Sequence, residues 1–252
     1  MEQFATLLNV SQTEALALVA IVFVAGVVRG FSGFALSALV MASAVLILPP
    51  VELIPIAWFL ELGASFLMVR GGWQEADRST TIGLVVGSSL GVPFGLALTL
   101  AVSVTTSKTI ALVVIITLAL SQFFKIKSSF IASKAGLWIS GFVAGIVTGL
   151  ASVGGMVVAL YVMARAAPAR TMRATLVLFL FFTAATSLVT LLVSGVMDRP
   201  AAVRGVILSV PTVVGVYFGT LLFRPKWESY YRPVCLFLLV GLSTASLLRM
   251  AW

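Results

Sequence analysis

Hydrophobic residues in this chain fall in long runs, with no surface-helix stripe and no strand-like alternation. Ile82 to Ser107 contains no Asp, Glu, Lys or Arg, and neither does Ala174 to Met197. About 18–20 apolar residues match the hydrocarbon thickness of a bilayer, and a buried helix of a soluble protein is seldom that long and that free of charge. Hydropathy and turn signals together predict ten apolar segments: 15–28, 34–48, 53–69, 81–100, 108–124, 136–148, 155–164, 174–195, 203–222 and 233–250. Between them lie Pro49-Pro50 and the loops Gly71 to Arg78, Lys125 to Lys134, Arg165 to Arg173, Asp198 to Arg204 and Arg224 to Arg232. The alternation of a barrel strand is missing. The pattern predicts an all-α polytopic membrane protein.

Two pairs of segments are too short to be ordinary spans. At about 1.5 Å per residue, segments 15–28 and 34–48 fall short of the hydrocarbon thickness, and 136–148 and 155–164 are shorter still. Arg29-Gly30-Phe31-Ser32-Gly33 separates the first pair, and Gly149-Leu150-Ala151-Ser152-Val153-Gly154-Gly155 the second. Each pair reads as a re-entrant hairpin of broken helices that turns inside the membrane. The hairpins also mark an internal repeat. Gly30 precedes Pro50 by 20 positions and Gly149 precedes Pro168 by 19. A long apolar helix with small polar residues near its far end follows each proline. Gly87, Gly91 and Gly95 then match Pro211, Gly215 and Gly219, a spacing that lets helix backbones approach closely. The chain therefore reads as one transmembrane domain, 1–252, built from repeats of about 1–125 and 126–252. An odd number of net crossings per half makes the repeats inverted.

Composition fits this reading. Of 252 residues, 61% are hydrophobic and 10% charged, too few charges for a solvated surface. The net charge of +8 does not point to nucleic acid, because the basic residues sit in short loops between apolar runs. Cys235 lies in an apolar run and reads as packing. Glu2 and Glu14 stand where a basic leader region would be, so the first apolar segment is expected to be retained. With the N-terminus outside, the inner loops hold Arg70, Arg78, Lys125, Lys127, Lys134, Arg165, Arg170, Arg173, Arg224, Lys226 and Arg232. The outer segments hold Lys108, Arg199, Arg204 and Arg249.

Inverted repeats with interrupted helices point to a central binding site. A helix N-terminus carries free N–H groups and positive partial charge, which favour an anion. Segments 34–48 and 155–164 both start just after a glycine-rich turn. The candidate anion-binding residues are Arg29, Gly30, Phe31, Ser32 and Gly33 in the first turn, and Gly149, Ser152, Val153, Gly154 and Gly155 in the second. Ser32 and Ser152 would add hydroxyl donors, and the glycines would admit the ligand to the backbone. Arg29, an intramembrane cation, either neutralises the anion or reaches the cytoplasmic surface. Glu61 is the acidic residue set deepest in an apolar run, and it carries a coupled proton, pairs with a buried arginine or makes a helix-end contact. Arg165, Arg170 and Arg173 read as loop anchors. Gly30-Phe31-Ser32-Gly33 resembles the serine motif of rhomboid proteases, but the chain has no histidine to act as base. One cysteine and no histidine leave little for catalytic metal, and no P-loop is present. The chain is expected to be neither an enzyme nor cofactor-dependent.

Arg29-Gly30-Phe31-Ser32-Gly33-Phe34-Ala35, with Leu48-Pro49-Pro50, resembles the first-repeat signature of the TauE/SafE family of sulfite and organosulfonate exporters. The second-repeat signature is similar to Gly149–Gly155 followed by Tyr161, Pro168-Ala169-Arg170 and Arg173-Ala174-Thr175. The resemblance covers nearly the whole chain and implies a permease of two inverted repeats in the bacterial cytoplasmic membrane that exports sulfite, sulfoacetate or a related anion. Gly154-Gly155-Met156 departs from the family's usual small residue or proline at the third position. A non-coupled anion channel, or an importer of another small anion or carboxylate, stays open as an alternative. The expected partners are a small anionic substrate and the lipid bilayer, with no nucleic acid and with homo-oligomerisation left open.

The basic asymmetry puts both termini outside and loops 125–134 and 224–232 in the cytoplasm. Cysteines placed at Ser128 and Ser229 should resist an impermeant thiol reagent applied from the periplasm, and labelling of either one refutes the orientation.

Overall fold

The computed structural model describes residues 2–124, 130–222 and 228–251, and all regular structure among them is helical. In chain order the helices are α1 (Glu2–Leu8), α2 (Gln12–Ser32), α3 (Leu36–Ala44), α4 (Pro50–Gly72), α5 (Arg78–Ala101), α6 (Val104–Phe123), α7 (Lys134–Ala151), α8 (Gly154–Ala164), α9 (Ala169–Val193), α10 (Arg199–Leu222) and α11 (Glu228–Ala251). Eight of these, α2, α4 to α7 and α9 to α11, are long and apolar enough to cross a membrane. Lys125, Lys127, Arg224 and Lys226, on which part of the predicted orientation rests, lie outside the described residues.

The first arm of each short pair is longer than its apolar window. α2 has 21 residues and α7 has 18, so only α3 and α8, with 9 and 11, are short. Polar residues that an apolar window excludes build the extra turns. A capping box joins Ser11 and Glu14 at the start of α2, and the Ser133 hydroxyl caps the start of α7. At the other end both helices run on through the glycine-rich stretch. α2 stops at Gly33, with φ +81°, whose N–H bonds Arg29 O. α7 stops at Ser152, with φ +57°, whose N–H bonds Thr148 O. Ser152 is left-handed without being glycine, at a cost of about 1–2 kcal/mol.

The prolines matched across the halves are also corrected by one position. Pro49 and Pro168 are the N-caps of α4 and α9, and both they and the pair Gly30 and Gly149 are 119 positions apart. At that offset the left-handed caps Gly33 and Ser152 coincide.

Side-chain contacts fix how the hairpins lie beside the long helices. Arg204 Nε donates to Leu8 O at 2.7 Å, and Arg204 pairs with Glu52. The end of α1 and the starts of α4 and α10 therefore meet at one end of the bundle. Glu61, the middle residue of the 23-residue α4, is met by Ser37 from the start of α3 and by Arg29 from the last turn of α2. The α2–α3 turn thus sits level with the middle of α4. Asp77, Thr175 and Arg165 meet at the opposite end, and from there α8 reaches back to put Gly155 against Leu180, near the middle of α9.

Glycines set the two closest helix crossings. α5 lies on α7 with Gly87, Gly91 and Gly95 against Gly141, Phe142, Gly145 and Ile146. α2 lies on α10 with Gly26 and Gly30 against Thr212, Val216 and Gly219. A Cβ on Gly219 would stand 2.9 Å from Gly30 Cα. Each half thus lends one helix to a tight pair with the other.

Gly91→Val and Gly219→Val should each destabilise the detergent-solubilised protein by about 1–3 kcal/mol or more, since the neighbour that has to yield is backbone. Gly241 is the control, because a Cβ there would meet nothing within 4 Å, and Gly241→Ala should change stability by no more than about 1 kcal/mol. Equal thermal shifts for the three variants would show that the crossings are not the constraint.

Candidate functional site

A cavity lies among α3, α4, α5, α7 and α9. Its walls are mostly apolar, with Trp58, Val92, Leu96 and Leu180 prominent, and the hydroxyls of Ser37, Thr148, Ser152, Thr183 and Ser187 supply most of the polarity. Glu61 is its one acidic lining residue. The Thr183 hydroxyl is buried there, with 3% of the residue exposed and no hydrogen-bond partner among the described residues. A buried polar group without a partner is uncommon and calls for one. Trp58 is spoken for, since its Nε1 donates to Ala184 O at 2.7 Å.

Beside the cavity lies a buried ion pair. Arg29 has no exposed surface. One guanidinium NH2 donates to Gly33 O, and the other to Ser65 Oγ at 3.3 Å. Arg29 Nε lies 3.2 Å from Glu61 Oε2, near enough for charge pairing though out of line for a directed hydrogen bond. The other carboxylate oxygen, Glu61 Oε1, accepts from Ser37 Oγ at 2.8 Å and from Ser37 N–H at 3.3 Å. The Ala35 cap gives no side-chain bond to the start of α3, so Glu61 occupies the helix terminus that the sequence offered to a ligand. Of the roles open to Glu61 in the sequence, the structure shows its pairing with a buried arginine.

The candidates from the sequence divide. Glu61, Gly149 and Ser152 line the cavity, and Arg29 meets it through Glu61. Gly30, Phe31, Ser32, Gly33, Val153, Gly154 and Gly155 are not among its lining residues. Gly30 and Gly154 have no room for a Cβ because the backbones of α10 and α7 lie against them. The Ser32 hydroxyl serves its own turn, donating to Phe34 O at 2.7 Å. Arg173 is no loop anchor. It donates to Gly30 O at 2.7 Å, and its Cγ would stand 2.7 Å from a Cβ on Gly33. Arg165 and Arg170 do lie at the loop, 3.8 Å from Asp77 and 3.9 Å from Glu75. Partial burial opposes ionisation of Asp77, but bonds from Thr80, the charge of Arg165 and the Ser79 N–H hold its carboxyl below the ordinary value. Ser37, Ser65, Trp58, Thr183 and Ser187 were missed as individuals. The small polar residues noted along the long apolar helices were the available signal for Thr183 and Ser187.

Membrane-crossing helices around a hydroxyl-lined cavity with a charge pair in its wall describe a membrane transporter. The family model for the sulfite exporter TauE/SafE matches residues 18–246, and the chain belongs to that family. It is thus a multi-pass membrane transporter. No curated protein and no solved structure gives a significant match.

Arg29→Gln leaves the Glu61 carboxylate buried without its counter-charge and should cost about 3–5 kcal/mol of stability. The double variant Arg29→Gln with Glu61→Gln should regain much of that loss in detergent unfolding. A double variant no more stable than Arg29→Gln alone would show that charge matching is not what binds the two helices.

Proposed function

We propose that this protein is a secondary transporter exporting a small oxidised-sulfur anion, such as sulfite or an organosulfonate, across the bacterial cytoplasmic membrane. The observation that carries this reading is the cavity level with the middle of α4 and α9, which combines apolar walls with the Thr183 hydroxyl, unpartnered among the described residues. Sulfite and sulfonates present several acceptor oxygens to such donors, and a hydrogen bond to a charged ligand contributes about 1.5–3 kcal/mol. An organosulfonate also has carbon for Trp58 and Leu180 to cover. Membership in an exporter family supports the substrate class and the direction.

We read residues 1–125 and 126–252 as inverted copies, with the α2–α3 and α7–α8 hairpins as the paired broken-helix elements of such carriers. Matched caps at Gly33 and Ser152, matched prolines and the exchange of helices between halves support this. A charge pair sealed into the wall favours a gated carrier over an open channel.

The glycine turns are poor places to test the path, because valine at Gly33 or Gly154 would meet Arg173 or the α7 backbone and disturb packing. Leucine in the cavity wall is the cleaner obstacle. Vesicles loaded with labelled sulfite or sulfoacetate should empty through the wild type, and Thr183→Leu with Ser187→Leu should cut the flux at least about tenfold, equivalent to about 1.4 kcal/mol, at equal expression. Undiminished flux in the double variant would place the path elsewhere, and no wild-type flux of either anion would refute the substrate class.

A further inference from the structure

We propose that the Glu61 carboxylate is a tethered stand-in for the transported anion, and that the anion takes its place at the start of α3 when Glu61 accepts a proton. This rests on the transport reading above and specifies how the same site is loaded.

Three observations converge on it. First, Glu61 already makes the contacts expected of a bound oxyanion: the Ser37 hydroxyl and N–H on one oxygen, and the Arg29 guanidinium against the other. An oxyanion at a helix N-terminus beside an arginine is a favourable arrangement. Second, Glu61 lines the cavity, so an entering anion arrives next to the group that holds those donors. Third, Ser37 lines the cavity too, so its donors become accessible once the carboxylate turns aside.

Charge then ties the anion to the proton. With Glu61 ionised, it and Arg29 sum to zero, and an anion at the start of α3 would lie against a like charge in a region screened from water. With Glu61 neutral, the anion becomes the counter-ion of Arg29 and the sum is again zero. For a monoanion, uptake of one proton per anion is the balanced exchange, and no covalent bond is made or broken. Other ionisable groups do not take this role. Arg173, from α9, meets the α2–α3 turn at Gly30 O and adds positive charge near Arg29. Glu52 with Arg204 lies at one end of the bundle, and Asp77 and Glu75 with Arg165 and Arg170 lie at the other. Among the described residues, α3, α5, α6, α7 and α10 present no further acid to Glu61. The matched position in the second half is Leu180, and the match of Arg29 is Thr148, so the device belongs to one hairpin alone.

The test is titration calorimetry on the purified full chain with methanesulfonate, a monoanion whose charge is constant around neutral pH, in two buffers of different ionisation heat. The wild type should take up about one proton per anion, and its affinity should fall about tenfold for each unit the pH rises above neutral. Glu61→Gln should bind with no proton uptake and no such slope, and at neutral pH at least as tightly as the wild type, because its tethered competitor is uncharged. Wild-type binding without proton uptake overturns the proposal while leaving the transport reading intact, and this count decides the matter even if Glu61→Gln does not fold. Uptake that persists in Glu61→Gln also overturns it. Failure of the wild type to bind or transport methanesulfonate, sulfoacetate or sulfite refutes the transport reading itself, and the proposal with it.

Discussion

A guanidinium with no access to water has to find both a counter-charge and acceptors for its protons, and Arg29 organises the middle of this molecule around that need. Its acceptors come from a helix break and a neighbouring helix. Gly33 O is available because α2 ends there, Ser65 comes from α4, and Glu61 supplies the charge. The same carboxylate satisfies donors at the start of α3, which has no side-chain cap of its own. The break that would otherwise expose unpaired backbone groups in an apolar setting is thus closed by the residues that neutralise one another. The end of α2, the start of α3 and the middle of α4 meet at one point because these needs are met together.

The long charge-free runs made six of the eight membrane-length helices legible from the sequence, since hydrocarbon excludes charge along a whole helix, whereas α2 and α7, read as short arms, are of full length. Boundaries were less legible where a polar first turn continues an apolar helix. α2 begins at Gln12, before its apolar window, because Ser11 and Glu14 cap it. Arg29 and Glu61 stood out singly as ionisable residues in apolar runs. Their partnership is a fact of packing between residues 32 positions apart on different helices, which no periodicity records.

The glycines and hydroxyls show the opposite difficulty, an excess of residues that look alike in sequence. Gly30 and Gly149 have the same conformational freedom whether a ligand or another helix approaches, and here helices approach both. Hydroxyls in apolar helices often bond the carbonyl four residues back, as Ser89, Thr117, Ser121 and the buried Thr212 do. Thr183 differs only because its hydroxyl faces space at the cavity wall and finds no partner. That distinction appears once α4 and α9 are packed together.

On the repeat reading, the two halves share a scheme but not its filling. At the common offset, Arg173 is the counterpart of Ile54. In the first half, Arg173 lies against Gly33 and bonds Gly30 O, so a long side chain fills the space beside that turn. In the second half, Ile54 is shorter and makes no polar link, and the space beside Gly149 and Ser152 is the cavity.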